Sequence, residues 1–416
     1  MVVGSGAREH TLVWKLSQSP KVGELYVAPG NAGTAPIATN LEVSATDVDA
    51  LSKAAKEKQI DLAVIGPEVP LADGIVDVLQ ASGIRAFGPS KAAAIIESSK
   101  VFAKKLMHKY GIPCAGDAVF TDFDEARAYV ERQRPPLVIK ADGLAAGKGV
   151  IVAQSIDEAV KALSDIMVER VYGDAGHQVL VEECLVGRET SLIAFTDGKT
   201  VVPMVPARDY KRALDGDLGP NTGGMGVYSP PGFLNGEFIG AMTKTILEPT
   251  VRAMAQEGRP CKGVLYAGLM ITSEGPKVLE FNARFGDPET QAQLPLLKSD
   301  LVDIMLATID GCLDQIEIEW SDESCVGVVM ASGGYPGSYN TGFTISGLSD
   351  LDSDAMVFHA GTKEDGGKVR TSGGRVLTVV ATSETVADAQ AKAYRNVQHI
   401  RFEGCHYRKD IAAEEA

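Results

Sequence analysis

The sequence predicts an α/β protein in three parts: an N-terminal doubly wound parallel sheet, a central mixed αβ region and a small C-terminal α+β domain. Three observations carry this. Up to about residue 90, short β-branched runs alternate with helical stretches, in the order MVVG, REHTLVWKLSQ, ELYVAPG, VDALSKAAKEK, IDLAVIGP, LADGIVDVLQASG and IRAFGPS. Strand and helix in such alternation build parallel βαβ units. The middle of the chain changes to strands in adjacent pairs, TSLIAFTDGKTVVPMVP and then GVLYAGLMIT with KVLEFN. After the SDES linker, the strands VGVVMASGG, AMVFHAGTK and RVLTVVA precede one helix, VADAQAKAYRNVQHI. The boundaries expected are 1–97, 98–318 and 319–416.

Taken in order, MVVGSG leaves about three residues for the first strand, against a usual five or six. That predicts a natural start a few residues upstream. Ser90 caps a single helix, KAAAIIESSKVFAKKLMHKY, ended by Gly111 with Pro113 beyond. The helix TDFDEARAYVERQ, the strands PPLVIK and IVAQ, a helix opened by the Ser155 and Glu158 capping box, and the strand QVLVEECL follow. Residues 213 to 236 read as a long glycine-rich loop.

At 416 residues and 45% hydrophobic content the chain can bury a sizeable core. No apolar run approaches the roughly 18 residues of a membrane span, and the amino terminus does not read as a signal peptide, so a cytoplasmic location is expected. The six cysteines are scattered singly, which suggests neither a zinc site nor a disulfide framework. With 40 Lys and Arg against 55 Asp and Glu, the charge of -15 repels nucleic acid and anionic membrane. An anionic small molecule must therefore be held by local basic groups and backbone N–H donors.

VIKADGLAAGKGV, residues 138 to 150, raises the question of a phosphate loop. It is not a P-loop: Gly143 stands one residue too close to Gly147, and Lys148 is followed by Gly149, which has no hydroxyl for a metal. GSGAREH (4 to 10) lacks the third glycine of a dinucleotide turn, and no acid ends the second strand, which argues against NAD. An anion at the helix N-terminus, with Arg8 adding a fork, fits better than a bare turn. PGNAGT (29 to 34) and GPEVPL (66 to 71) end neighbouring strands of the same sheet and bring Asn31 and Glu68 to one crevice. In KVLEFNARFGDPET (277 to 290), alternation puts Glu280, Asn282 and Arg284 on one face and Leu279 and Phe281 in the core. Two oxygens beside a guanidinium suit a magnesium ion bridging phosphates, rather than a surface ion pair. VEECLVGRET (181 to 190) taken alone reads as a solvated acidic turn. RDYKRALDGDLGPNTGGMGVYSP (208 to 230) reads as a lid over phosphates, against a disordered excursion.

These stretches in this order, together with LYAGLM, GGYPG, FHAGTK and CHYRKDI, resemble the ATP-grasp ligases and, within them, the phosphoribosylamine-glycine ligase (glycinamide ribonucleotide synthetase) family. The resemblance covers nearly the whole chain. It implies that the central region is an ATP-grasp fold, two αβ subdomains clamping ATP, with a small mobile subdomain at about 115–185. It also implies that Lys100 and Lys140 meet the phosphates, that residues 143 to 149, including Gly147, form a flap, and that residues 213 to 226 form the lid. Glu182, Glu183 and the backbone of Cys184 and Leu185 would hold adenine, Glu189 the ribose, and Lys211 and Asn221 would add nucleotide contacts. Glu280 and Asn282 would ligate Mg²⁺ or Mn²⁺, with Lys140, Arg284 and Asp287 as catalytic groups. Substrate contacts would come from Gly6, Arg8, Glu9, Asn31, Gly33, Pro67, Glu68, Asp209, Gly223, Arg284 and Gly286.

The activity implied is ATP-dependent joining of glycine to 5-phosphoribosylamine through glycyl phosphate, in de novo purine biosynthesis. Its partners would be ATP, glycine and 5-phosphoribosylamine, with no nucleic acid or membrane, and a monomer is expected. Two departures stand out. YAGLMIT has no acid to supply a second metal carboxylate, and RKDIAAEEA lacks a Gly-x-Arg after RKDI. The alternatives are an ATP-grasp enzyme acting on another carboxylate, such as a carboxylase, and a nucleotide-sensing protein without turnover.

Overall fold

In the computed structural model, which describes residues 1–144 and 149–415, the N-terminal sheet is parallel throughout. Its strands lie in the order Thr39–Asn40, Tyr26–Pro29, Val2–Gly4, Leu62–Ile65 and Arg85–Phe87. The chain winds outward from Val2–Gly4 and then resumes on its other side at Leu62–Ile65, so the topological switch point falls between these strands. Gly4 to Gly6 and Gly66 to Glu68 leave their carboxyl ends there. The first strand is three residues long, as read from the sequence, and Val2 and Val3 are fully buried.

The helix expected from Ser90 to Gly111 is two helices, Lys91–Ser98 and Lys100–Tyr110. Ser99 leaves the helical region (φ -134°, ψ 107°), and its side chain accepts a hydrogen bond from Phe102 N. Asp142 joins it, accepting from Val101 N at 3.1 Å and from Ser99 Oγ at 3.3 Å. Uniform helical patterning hides such a break, because the capping carboxylate arrives from a distant strand. The result is a helix N-terminus, with Lys100 as its first residue, opening beside the VIKADG strand.

Four antiparallel strands, Asp117–Phe120, Val179–Glu183, Leu137–Ala141 and Val150–Ala153, form a small sheet covered by the helices Phe123–Val130 and Ile156–Leu163. It has its own core around Ile139, Val181, Ala159 and Leu163. A second antiparallel sheet orders Val201–Pro203, Arg188–Asp197, Lys262–Thr272 and Gly275–Asn282. The helix Leu301–Asp310 packs against both this sheet and the N-terminal one, and Phe195, Tyr266 and Phe285 share a cluster with Val2, Leu12 and Phe87. A bulge lies between Gly268 and Leu269, whose partners are Glu280 and Val278. The extra residue resets the alternation, so Val278 and Phe281 are buried whereas Leu279, expected in the core, is only half-buried.

The C-terminal sheet orders Arg208–Asp209, Gly226–Ser229, Ser324–Ala331, Arg375–Ser383 and Met356–His359, with the helix Val386–Val397 packed on it. Its first two strands come from the central region. The stretch expected as an open loop from 213 is instead largely ordered, with Arg212–Leu214 and Leu218–Asn221 forming a hairpin. Arg408, 1% exposed on its side chain, pins it by donating to Asp217 Oδ1 at 2.7 Å and Arg212 O at 3.1 Å. Gly216 N donates to Asp410 Oδ2 at 2.7 Å, and Lys409 N to Asp215 Oδ1 at 2.8 Å. The RKD triplet near the end of the chain thus staples the hairpin, and the excursion is a tethered arm.

Candidate active site

The cleft lies between the small sheet and the strand Gly275–Asn282. Strand register explains its charged floor. Lys140 pairs with Leu180 and Val138 with Glu182, so Lys140 and Glu182 are diagonal neighbours on one face. Lys140 Nζ sits 2.9 Å from Glu182 Oε2 and donates to Leu279 O at 3.0 Å, spanning the two sheets. Lys104 Nζ lies 3.4 Å from Glu182 Oε1. Glu182, expected at the adenine, is therefore 3% exposed and engaged by two ammonium groups. The strand face it shares with Lys140 points its side chain inward. Glu183, on the opposite face, is exposed and accepts from Gly116 N at 2.9 Å. Cys184 and Leu185 follow it at the cleft edge, with Cys184 Sγ 3.9 Å from Leu185 O.

Lys100 Nζ donates to Gly143 O at 2.9 Å. Burial lowers its pKa, opposed by the nearby Glu280 charge. Glu280 is the acid around which the basic groups gather. Burial alone would push its carboxyl up, but Lys211, Lys140, Lys100 and Arg284 together hold it below the usual range. Asn282 follows two residues on, opposite Tyr266 as Glu280 is opposite Gly268. A carboxylate and an amide oxygen are hard donors that fit Mg²⁺ or Mn²⁺, with phosphate oxygens and water completing the shell. Among the described residues no group of three or more His, Cys, Asp or Glu could hold a metal alone.

Lys211 forms an ion pair with Glu189, which joins the expected ribose ligand to the arm. Asn221 is exposed at the end of the hairpin, paired with Arg212. Asp209 lies close to Lys211. Its Oδ1 is buried without a hydrogen-bond partner, and burial pushes its carboxyl up to about 7 against the pull of Lys211. Beside it Glu289 Oε1 accepts from Tyr266 Oη at 2.8 Å and from Ser191 Oγ at 3.1 Å. Gly147 and most of the expected flap lie outside the described residues.

At the switch point Gly6 N donates to Glu9 Oε2 at 2.6 Å, and Arg8 Nε donates to Glu9 Oε1 at 2.6 Å. A Cβ at Gly66 would stand 2.0 Å from Glu9 Oε1, so that glycine makes room for the carboxylate. Glu9, which replaces the third glycine of a dinucleotide turn, thus closes the turn from inside. Pro67 starts the helix Glu68–Asp73. Glu68 Oε2 lies 3.5 Å from Arg284 Nε, and Glu97 Oε1 lies 3.2 Å from the same atom. Arg284 is therefore braced by two acids at the crevice. Gly286 stands against Glu289, whose Oε2 would meet a Cβ at 2.5 Å. Asp287 pairs with Arg375 at 3.1 Å, and Arg375 also donates to Gly223 O at 2.5 Å.

Asn31 Nδ2 donates to Ser5 O at 2.9 Å and to His359 O at 2.7 Å, while its Oδ1 accepts from Gly33 N at 2.8 Å. His359 N donates to His10 Nδ1 at 2.8 Å. A Cβ on Gly33 would lie 2.3 Å from His10 and 2.6 Å from His359. The C-terminal domain is thereby hydrogen-bonded to the N-terminal crevice.

Sequence reasoning did not single out Lys104, Asp142, Glu97, Tyr266, Glu289, Arg375 or the two histidines. A Ser-Ser pair inside a helical run could have signalled the break at Ser99. Arg375 has no local signal, because its partner Asp287 lies 88 residues away, and the FHAGTK stretch that holds His359 gave no hint of its partner His10, 349 residues away.

A parallel-sheet domain, two antiparallel sheets facing each other across a lysine-lined cleft and a C-terminal sheet define the ATP-grasp class. Three family models match in succession, the N domain of phosphoribosylglycinamide synthetase over residues 1–97, its ATP-grasp (A) domain over 98–290 and its C domain over 325–414. The chain belongs to the phosphoribosylglycinamide synthetase family. It is 54% identical over 415 residues to the phosphoribosylamine–glycine ligase of Halalkalibacterium halodurans, covering 100% of this chain and 96% of that one. The ligase of Salmonella typhimurium is 50% identical over 416 residues, covering 99% and 97%. The crystal structure of phosphoribosylamine–glycine ligase from Thermotoga maritima superposes with a TM-score of 0.87 at 35% identity, covering 99% of each chain. A biotin carboxylase from Campylobacter jejuni shares the fold alone, with a TM-score of 0.74 at 13% identity, covering 99% and 98%.

Proposed function

We propose that the chain joins glycine to 5-phosphoribosylamine with cleavage of ATP, giving glycinamide ribonucleotide, ADP and phosphate, as a step of purine biosynthesis. The observation that carries the reading is the set of basic groups, Lys100, Lys140, Lys211 and Arg284, around the half-buried Glu280, whose carboxyl they hold below the usual range, at a cleft between two subdomains. Such an array accepts a polyphosphate with its metal, and the full-length likeness to the ligases selects the acceptor.

A glycine carboxylate oxygen attacks the γ-phosphorus, the bond to the β-phosphate oxygen breaks, and ADP leaves. The ribosylamine nitrogen then attacks the carbonyl carbon of glycyl phosphate, the carbon–oxygen bond breaks, and phosphate departs. Lys100 and Lys140 neutralise phosphate charge, and Arg284, held by Glu68 and Glu97, faces the acyl group. Asp287, kept ionised, takes the proton that the attacking nitrogen loses. Glu280 and Asn282 would hold Mg²⁺ or Mn²⁺, which would neutralise charge on the transferred phosphoryl group. Catalysis on this reading is positioning and electrostatics, with no covalent enzyme intermediate. Six free cysteines suit a reducing cytoplasm, and we expect a monomer, which sedimentation would check.

Phosphate release with each reactant omitted in turn tests the reading. Release is expected only with ATP, glycine and 5-phosphoribosylamine together. Release supported by bicarbonate in place of glycine would favour a carboxylase instead.

A further inference from the structure

We propose that Arg375, from the C-terminal domain, is a positioning residue for the ligation: its guanidinium fixes the Asp287 carboxylate and the Gly223–Gly224 turn together at the mouth of the N-terminal crevice. The proposal rests on the reading in which Asp287 accepts a proton from the attacking nitrogen.

Arg375 opens the strand Arg375–Ser383. Its Nη1 donates to Gly223 O at 2.5 Å and to Asp287 O at 3.1 Å, and its Nη2 lies 3.1 Å from Asp287 Oδ2. One planar fork thus serves a carboxylate and two carbonyls from segments about 60 residues apart, a geometry that an ammonium point charge cannot reproduce. Packing leaves no alternative filler. A Cβ on Gly223 would stand 3.0 Å from Arg375 Cζ, and one on Gly224, whose φ is +110°, would stand 2.4 Å from Pro288 Cδ. Tyr335, also from the C-terminal domain, accepts from Gly223 N at 3.0 Å.

Asp287 is oriented from its other side as well, since Gln291 Nε2 donates to Oδ1 at 2.7 Å. Its Oδ2 lies 3.5 Å from where a Cβ on Gly6 would be, so the carboxylate faces the switch-point turn. The charged groups around it are Arg8 from the helix Ala7–Leu16, Glu68 from the neighbouring turn, Arg284 from its own segment, and Arg375. Burial pushes the Asp287 carboxyl up, and Arg375 first, then Arg8, hold it below the usual range. Removing Arg375 takes away the strongest of these counter-charges and the tie to Gly223 at once.

The test compares Arg375→Met, Arg375→Lys and Asp287→Asn with the wild-type chain, using ribosylamine 5-phosphate formed in situ from ribose 5-phosphate and ammonia and quantified at each pH. Arg375→Met is expected to lower kcat/KM for the ribosylamine about a hundredfold, the scale of a misplaced reacting group. It should also move the acid limb of that profile to higher pH, with KM for ATP changed less than about twofold. Arg375→Lys, which keeps the charge, should return the acid limb but leave the ribosylamine KM raised, and it stands in should Arg375→Met fail to fold. Equal losses in every parameter with an unmoved acid limb, beside an inactive Asp287→Asn, would overturn the role of Arg375 alone. Wild-type turnover in Asp287→Asn would overturn the proton-acceptor reading and the proposal with it.

Discussion

Glu182 holds Lys140 at 2.9 Å and Lys104 at 3.4 Å, so one buried carboxylate fixes a lysine from the small sheet and another from the helix Lys100–Tyr110. The pair ties the catalytic lysine of the reading above to the framework before any nucleotide binds. Glu182→Gln leaves Lys104 buried without its paired carboxylate and Lys140 with Glu280 as its remaining acid, and breaking a buried pair from one side costs about 3–5 kcal/mol. Urea unfolding of the variant measures this. A loss under about 1 kcal/mol would mean that the pair is not structural.

Glu280→Gln keeps the shape and removes the charge that the surrounding lysines face. We expect turnover to fall by at least about a hundredfold, in the range for losing one electrostatic element of a phosphoryl-transfer site. Excess Mg²⁺ should restore it only in part. Titration of rate against Mg²⁺ and Mn²⁺ checks the assignment, and an unchanged rate at limiting metal would remove Glu280 from it.

The His10 and His359 pair makes stability depend on acid. Burial lowers His10 to about 3 and His359 to about 4, against roughly 6.5 in an unfolded chain. The unfolded chain therefore binds more protons between these values. Stability contributed by the neutral pair is full above about pH 6.5 and falls as the pH drops toward 4, at up to about 1.4 kcal/mol per pH unit for each histidine. Denaturant unfolding at pH 7 and pH 5 should show the slope, and a His10→Asn chain should show a shallower one. Equal slopes would exclude the pair as its source.

Arg408→Ala deprives Asp217 and Asp410 of their shared partner and frees the hairpin that carries Lys211 and Asn221 to either side. Limited proteolysis should then cut within residues 213 to 221, which the intact staple protects, and the apparent KM for ATP should rise about tenfold, equivalent to roughly 1.4 kcal/mol. Unaltered cleavage would show that the hairpin is held by other contacts.

Gly33→Ala drives a methyl group into two imidazole rings, at 2.3 Å and 2.6 Å. Overpacking of this kind costs about 1–3 kcal/mol, and thermal melting should report it together with a raised KM for the ribosylamine. A neutral effect on both would separate Gly33 from the crevice.

Much of this site can be read along the chain because glycine turns and strand alternation are local. GSGAREH and GPEVPL lie at the switch point, as the βαβ rhythm predicts, and Lys140 ends its strand facing the cleft. Alternation also brought Glu280 and Asn282 to one face, although the bulge at Gly268 exchanged Val278 for Leu279 in the core. The break at Ser99 was hidden, because Asp142 that caps the second helix belongs to another element.

What the sequence by itself determined is the order of elements and the glycine turns, since these follow from residue type and spacing, while the residues expected to carry phosphate, metal and acyl-transfer chemistry came mainly from the family resemblance. Tertiary structure alone decided how the charges are partnered: Glu182 with two lysines, Arg284 between Glu97 and Glu68, and Asp287 with Arg375. It also decided that the glycine-rich arm is stapled by Arg408 and that strands from the middle of the chain complete the C-terminal sheet. The physical reason is that a buried charge requires a counter-charge within a few ångströms, and in a folded chain that neighbour can lie hundreds of residues away.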